Sequence, residues 1–188
     1  MAHLLAVALG LGLAAAAGLR IFVPLLAAGL AGRFGLVDLS PGFTWLAATP
    51  ALVILGTATV FEIAGYFVPW LDHTLDVIAS PLAVLAGMAV TASVLVDMPP
   101  AIKWTLVIIG GGGIASVMQA TTVTARLKSA LVTGGVANPV VALAESTGAI
   151  AISILAVLVP ALCLLSIVVA AAVLIARRRR AALRPSPQ

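Results

Sequence analysis

Two charged residues stand where a strongly apolar sequence gives least reason for them. Arg20 lies well inside the apolar run 4–30, between Gly18 and Pro24. A charge so far from both ends of such a run costs about 2.5–3.5 kcal/mol on insertion scales, so a partner is expected. Glu62 is the acid inside the next run, 45–70, and is the first candidate for that partner. An arginine can snorkel towards an interface, but the shorter Glu62 does so poorly and should face inward. Tyr66 follows four residues later, on the same helical face, and could hydrogen-bond it. Such a pair could hold a small solute or ion, with Arg20 favouring an anionic group.

A second group, Asp72, His73 and Asp76, has a spacing that could serve an ion, since Asp72 and Asp76 share one helical face beside His73. Hard cations take oxygen ligands, yet the same residues at a membrane interface often do no more than face water, so the identity of any metal is unknown. On one straight helix Glu62 and Asp76 would be about 21 Å apart. They could join one site only if the chain turns at Pro69.

The second half of the chain carries Gln119, Thr121, Thr122, Thr124, Arg126 and Lys128 after the run Gly110 to Gly113, then Gly134, Gly135, Asn138, Pro139 and Glu145. Threonine hydroxyls with free amides at a helix start could bind an anion or line an aqueous path. Asn138 as N-cap with Pro139 at the first helical position would explain part of this pattern without any ligand. The candidate substrate-binding set is Arg20, Glu62, Gln119, Thr122 and Glu145, with Asp72, His73 and Asp76 as ion or interface candidates. No nucleophile, base and acid constellation occurs, and Gly110 to Gly113 lacks the lysine of a phosphate loop. The histidines, His3 and His73, sit at segment ends, which gives a paired-histidine haem no support. The expectation is a protein that is not an enzyme and uses no cofactor.

The elements that would position these residues follow from the solvent. Of 188 residues, 63% are hydrophobic and 9% charged, against about 45–50% and about 25% for a soluble domain. Apolar runs near twenty residues match an α-helix crossing roughly 30 Å of hydrocarbon, not the ten-residue alternation of a barrel strand. Backbone groups in lipid must be satisfied within the segment, so the runs are helices. The fold class is all-α, a polytopic membrane bundle with segments at 4–30, 45–70, 77–96, 104–135 and 139–176. The last is too long for one crossing. It either folds back near Pro160 or keeps its first turns, with Glu145 and Ser146, outside the hydrocarbon.

VFEIAGYFVPWL at 60–71 and AISILAVLVPAL at 151–162 place two Val-Pro pairs 91 residues apart. Ahead of each lies an interrupted segment, 18–35 and 120–138. Two halves, about 1–98 and 99–176, each of about three membrane segments, would then be inserted in opposite senses, as in many transporters. Each interrupted segment is either a kinked helix or a re-entrant hairpin, with tips near Gly18 to Arg20 and Gln119 to Thr122.

The formal charge of +4 comes from the tail, where Arg177, Arg178, Arg179, Arg180 and Arg184 put +5 and leave the rest at −1. A basic flank holds its end on the cytoplasmic side, so 177–188 is read as a cytoplasmic tail after a single membrane domain, 1–176. Its partners would be anionic lipids rather than nucleic acid. Cys163 is alone, which excludes an intrachain disulfide. The N-terminal run has no basic leader or cleavage site and is read as part of the mature chain.

GLRIFVPLL at 18–26, FEIAGYFVPWLDHTLD at 61–76 with Pro81 after it, and GGVANPVVALAE at 134–145 together resemble the bacterial membrane family catalogued as domain-of-unknown-function family 4126. The resemblance covers nearly all of the chain outside the tail. In that pattern the glutamate is followed by a small residue, an Asp-Lys pair, a proline and two aspartates. Glu62, Pro69, Asp72 and Asp76 match, and Tyr66 and Phe67 replace the Asp-Lys pair. The resemblance implies a multi-pass protein of the bacterial inner membrane and brings no established activity. The leading expectation is a transporter-like or channel-like protein handling a small solute, ion or lipid headgroup at a midplane polar site, in a chain short enough to suit a homodimer. The alternative is a non-transporting scaffold or accessory subunit.

Overall fold

The computed structural model describes residues 2–66 and 69–160, the backbone alone over 69–76, and positions 162, 165 and 169. The described residues hold helices and no strand. The expected first segment is two helices, α1 (Ala2–Ala17) and α2 (Phe22–Arg33). A 3₁₀ turn, Pro41–Ala47, leads into α3 (Thr49–Gly65), and α4 (Pro69–Val94) follows. The chain then continues through α5 (Pro100–Thr105), a π-helical turn (Leu106–Gly112) and α6 (Gly113–Thr133) to α7 (Asn138–Leu158). Prolines stand in the first turns of α2, α3, α5 and α7, where a missing N–H breaks no helical bond and the fixed φ suits the helix.

Three stretches are long and apolar enough to cross a membrane: Val77–Val94 within α4, the continuous Pro100–Thr133, and α7. The 3₁₀ turn and α3, bent by 68°, make a fourth if taken as one span. With 16 and 12 residues, α1 and α2 are each shorter than a crossing. They fold back on each other. Leu9 and Leu13 of α1 share a core with Ala28 of α2 and with Val37 and Leu39 beyond it, joined by Val90 and Val94 of α4 and Ala156 of α7. Ala2, His3 and Leu5 line the same cavity as Leu36, Val37 and Asp38, so the chain leaves α2 at the end where α1 began. The first interrupted segment is thus a hairpin, with its tip at 18–21.

The second interrupted segment is not. Gln119 and Thr122 lie in the middle of an unbroken α6, and the chain turns only at Gly134 and Gly135, both at positive φ. The difference has a local cause, because nothing from Gly113 to Thr133 breaks the i→i−4 ladder. The Val-Pro pairs both follow helix ends, α3 stopping at Gly65 and α7 at Leu158. The counterpart of α4 in the second half falls after residue 160, outside the described residues.

Small residues let the helices approach closely. A Cβ on Gly87 of α4 would lie 2.5 Å from Ala115 Cβ and 2.8 Å from Gly111 O, and one on Gly18 would lie 2.5 Å from Ala115 O and Met118 Cβ. Thr91 donates its hydroxyl to the carbonyls of Gly10 (3.2 Å) and Gly87 (2.7 Å), tying α4 to α1. Lipid chains offer no hydrophobic drive between helices, so such close packing is what holds membrane helices together. Large apolar side chains face outward instead, among them Val53, Ile54, Val60, Ile108, Ile109 and Leu131.

Candidate functional site

The hairpin tip leaves backbone groups without helical partners. The first amides of α2 have no carbonyl a turn behind them, and α2 has no cap from its own side chains. Glu62, near the end of α3, supplies both acceptors. Its Oε1 accepts from Ile21 N at 2.7 Å and its Oε2 from Phe22 N at 3.1 Å. A carboxylate at a helix N-terminus is also favoured by the positive end of the helix dipole.

Arg20, one residue before those amides, turns towards α7. It is 1% exposed, the largest side chain among the fully buried ones. Its Nε donates to Ser146 Oγ at 3.0 Å and one Nη to Ala142 O at 2.9 Å, while that same nitrogen lies 3.4 Å from Glu145 Oε2. Glu145 is shared. Arg126 of α6 grips it from the other side, Nε to Oε1 at 3.1 Å and Nη2 to Oε2. Both guanidiniums lie over the ring of Tyr66, Arg20 at 4.1 Å and Arg126 at 3.8 Å from its centroid. Tyr66 ends α3 and is buried. Cation–π contact of this kind strengthens when water is excluded. Among the described residues, two guanidiniums and two carboxylates thus meet at the tip, drawn from α3, α6, α7 and the tip itself.

The remaining candidates lie beside this cluster. Gln119 and Thr122 share the buried face of α6 with Ala115 and Arg126, at the helical spacing 115, 119, 122, 126. Gln119 reaches Ser80 of α4 at 3.5 Å, and Thr122 donates to Gln119 O at 2.9 Å. Asp72, His73 and Asp76 fall on the α4 backbone after a turn at Pro69, but their side chains lie outside the described residues. No group of three metal-ligating side chains occurs among the described residues.

Four expectations are corrected. The ion pair of Arg20 is with Glu145, not Glu62, because the short Glu62 is spent on amides that no other group satisfies. No free amides accompany the threonines of α6: Thr121 and Thr124 are exposed and donate to Val117 O and Ala120 O one turn back, at 2.8 and 2.7 Å. A hydroxyl so satisfied can face lipid. Glu145 and Ser146 are buried at the tip rather than outside the hydrocarbon. Helix α7 starts one residue early, with Ala137 as its cap and Asn138 inside it. Arg126 and Ser146 were missed as members of the cluster. The face 119, 122, 126, polar at every position, was the available signal for Arg126; nothing marked Ser146 beyond its place beside Glu145.

Beside Glu62 lies a cavity of about 310 Å³ between α3, α4 and the tip. It is lined by Ile21, Phe22, Ala58, Phe61, Glu62, Tyr66, Ile78, Ala79 and Leu82, and Arg20 is not part of its wall.

A family model described as "Domain of unknown function (DUF4126)" matches residues 7–180. No curated protein and no solved structure matches the chain. The match takes in the hairpin, both carboxylates and both arginines of the cluster, and the chain belongs to the DUF4126 family.

Proposed function

We propose that the protein is a transporter-like or channel-like membrane protein that handles a small solute, ion or lipid headgroup at the hairpin tip. The observation that carries this reading is the tip itself: an interrupted helix pair whose exposed amides are capped by Glu62, a carboxylate that also lines a cavity. Non-helical backbone at membrane depth is tolerated only where protein or a watery cavity covers it, and interrupted helices meeting there are a recurrent way to build a solute site. The direction of the helices supports an inverted plan. The α3 helix runs towards the tip, ending at Glu62 and Tyr66, and α7 runs away from it, from Ala142 and Ser146 to Pro160 at the opposite end. In this plan α3, α4, the Pro100–Thr133 stretch and α7 cross the bilayer, and the hairpin enters and leaves on one side.

Arg20 and Arg126 have the role of fixing the tip, since their donors go to Glu145, Ser146 and Ala142 O. The ligand is handled at Glu62. The test is reconstitution into vesicles, reading ion current, solute-driven swelling and lipid headgroup exchange in parallel. The expected result is that one of the three exceeds the rate of protein-free vesicles and returns to it with Glu62→Ala. All three at the protein-free rate, with folded protein in the bilayer, would overturn the reading.

A further inference from the structure

The cavity beside Glu62 has a composition that selects among ligands. Glu62 and Tyr66 are the polar residues on its wall, and the other seven are apolar, two of them phenylalanines. Each Glu62 oxygen accepts one backbone N–H, from Ile21 and from Phe22. A carboxylate offers about four acceptor sites, so the capped group can still accept from, or attract, a cation. Phe22 and Phe61 present ring faces that attract a cation as well. Tyr66 is already engaged by Arg20 and Arg126.

The mouth of the cavity points sideways. Phe61 is 73% exposed, Ile78 53% and Leu82 41%, and all three lie on the surface where α3 and α4, in light contact, part from each other. An apolar rim on a membrane helix pair meets hydrocarbon, so a ligand entering there arrives from the bilayer. Inside, a primary ammonium would bring three N–H donors to a wall that has few acceptors to give, and an unmade buried hydrogen bond is expensive. A tertiary ammonium brings one and a quaternary ammonium none.

From these features we infer that the cavity binds a tertiary or quaternary ammonium ion carrying an apolar group, taken up laterally from the membrane with its charge against Glu62. This deepens the proposed function, because it assigns a ligand class to the same carboxylate. A neutral acyl chain would fit the apolar wall but leave Glu62 without use, and an anion would meet a carboxylate.

The test is binding, which is independent of flux. Equilibrium dialysis of the protein in nanodiscs would compare benzyltrimethylammonium with neopentylbenzene, its uncharged isostere. The cation is expected to bind at least about tenfold more tightly, a difference of one decade in Kd. Glu62→Gln keeps an acceptor for the tip amides and should bring the two ligands to equal affinity. Leu82→Trp fills the cavity without touching the cap and should weaken both ligands by at least the same factor. Equal binding of the two ligands to the native chain, or a cation preference that survives Glu62→Gln or Leu82→Trp, would overturn the inference. Binding as expected with no flux in the vesicle assays would overturn the transport reading and leave this one standing.

Discussion

The two glycine-marked interruptions of this chain behave in opposite ways. At 18–21 the helix stops and the chain reverses; at Gly110 to Gly113 four successive glycines leave a continuous stretch with only a π-helical turn. Glycine density therefore does not decide where a membrane helix breaks. At the first site the freed amides meet Glu62 and the adjacent arginine meets Glu145 and Ser146, so the reversed chain leaves few groups unsatisfied. At the second site the glycines serve approach instead, bringing the turn against Gly87 and Thr91 of α4. A break needs acceptors from elsewhere in the fold, and only the first site has them.

The comparison is broken most severely at Glu145. Its loss would leave Arg20 and Arg126 facing each other across Tyr66, and removing one partner of a buried charge group typically costs on the order of 3–5 kcal/mol. Glu145→Ala should lower the thermal unfolding midpoint in detergent more than any other single change discussed here. A double-mutant cycle sharpens the point. Arg20→Met with Glu145→Ala should cost clearly less than the sum of the single changes, and Arg20→Met with Glu62→Ala should come closer to additivity. Strong coupling to Glu62 and none to Glu145 would contradict the pairing.

A smaller effect is expected at the cap itself. Glu62→Ala leaves two amides of α2 without acceptors, for about 1–3 kcal/mol each at most, and Glu62→Gln should recover part of that. Asp38→Ala, in the exposed connection after α2, should stay within about 0.5 kcal/mol. Hydrogen exchange at Ile21 and Phe22 is the direct readout. Faster exchange there in Glu62→Ala, with α6 unchanged, would tie the carboxylate to the tip.

The site was legible in the sequence to the extent that charge in hydrocarbon is costly. That rule singled out Arg20 and Glu62, and their neighbourhood at the tip is observed. It could not say which acid serves which partner. Positions 20 and 145 are 125 apart in the chain, and nothing local distinguishes Glu145 as the ion-pair partner from Glu62 as the cap. Arg126 was obscured by its surroundings, since Thr121, Thr124 and Lys128 make the stretch read as a polar surface until it is wound onto a helix. The fold was legible in its helices and their prolines. The reversal at 18–21 and the continuity through Gln119 were not separable, because both stretches are rich in small residues and differ in the distant groups that cap one and not the other.

The next test lies within the glycine run, where neighbouring positions should respond with opposite sign. A Cβ at Gly111 would sit 2.5 Å from Thr91 Oγ1 and 2.7 Å from Gly87 O, one of them backbone, so α4 and the π-turn would have to separate. Gly111→Ala should therefore destabilise by about 1–3 kcal/mol, the usual range for overpacking.

Gly113, two residues later, is expected to show the smallest effect, and a favourable one. It has helical dihedrals, φ −64° and ψ −46°, so alanine fits its backbone without strain. No atom lies within 4 Å of where its Cβ would be. Glycine in a helix interior is less favourable than alanine by roughly 0.5–1 kcal/mol, chiefly because it has more freedom to lose on folding. Gly113→Ala should then raise the unfolding midpoint slightly, against the fall expected for Gly111→Ala. The pair isolates the two roles a glycine can have, since both substitutions remove the same backbone freedom and only one introduces a clash. If both stabilise, the close approach of α4 to the turn is not present in the membrane. If both destabilise, the glycines are needed for the turn's flexibility, and its continuity as a helix is conditional.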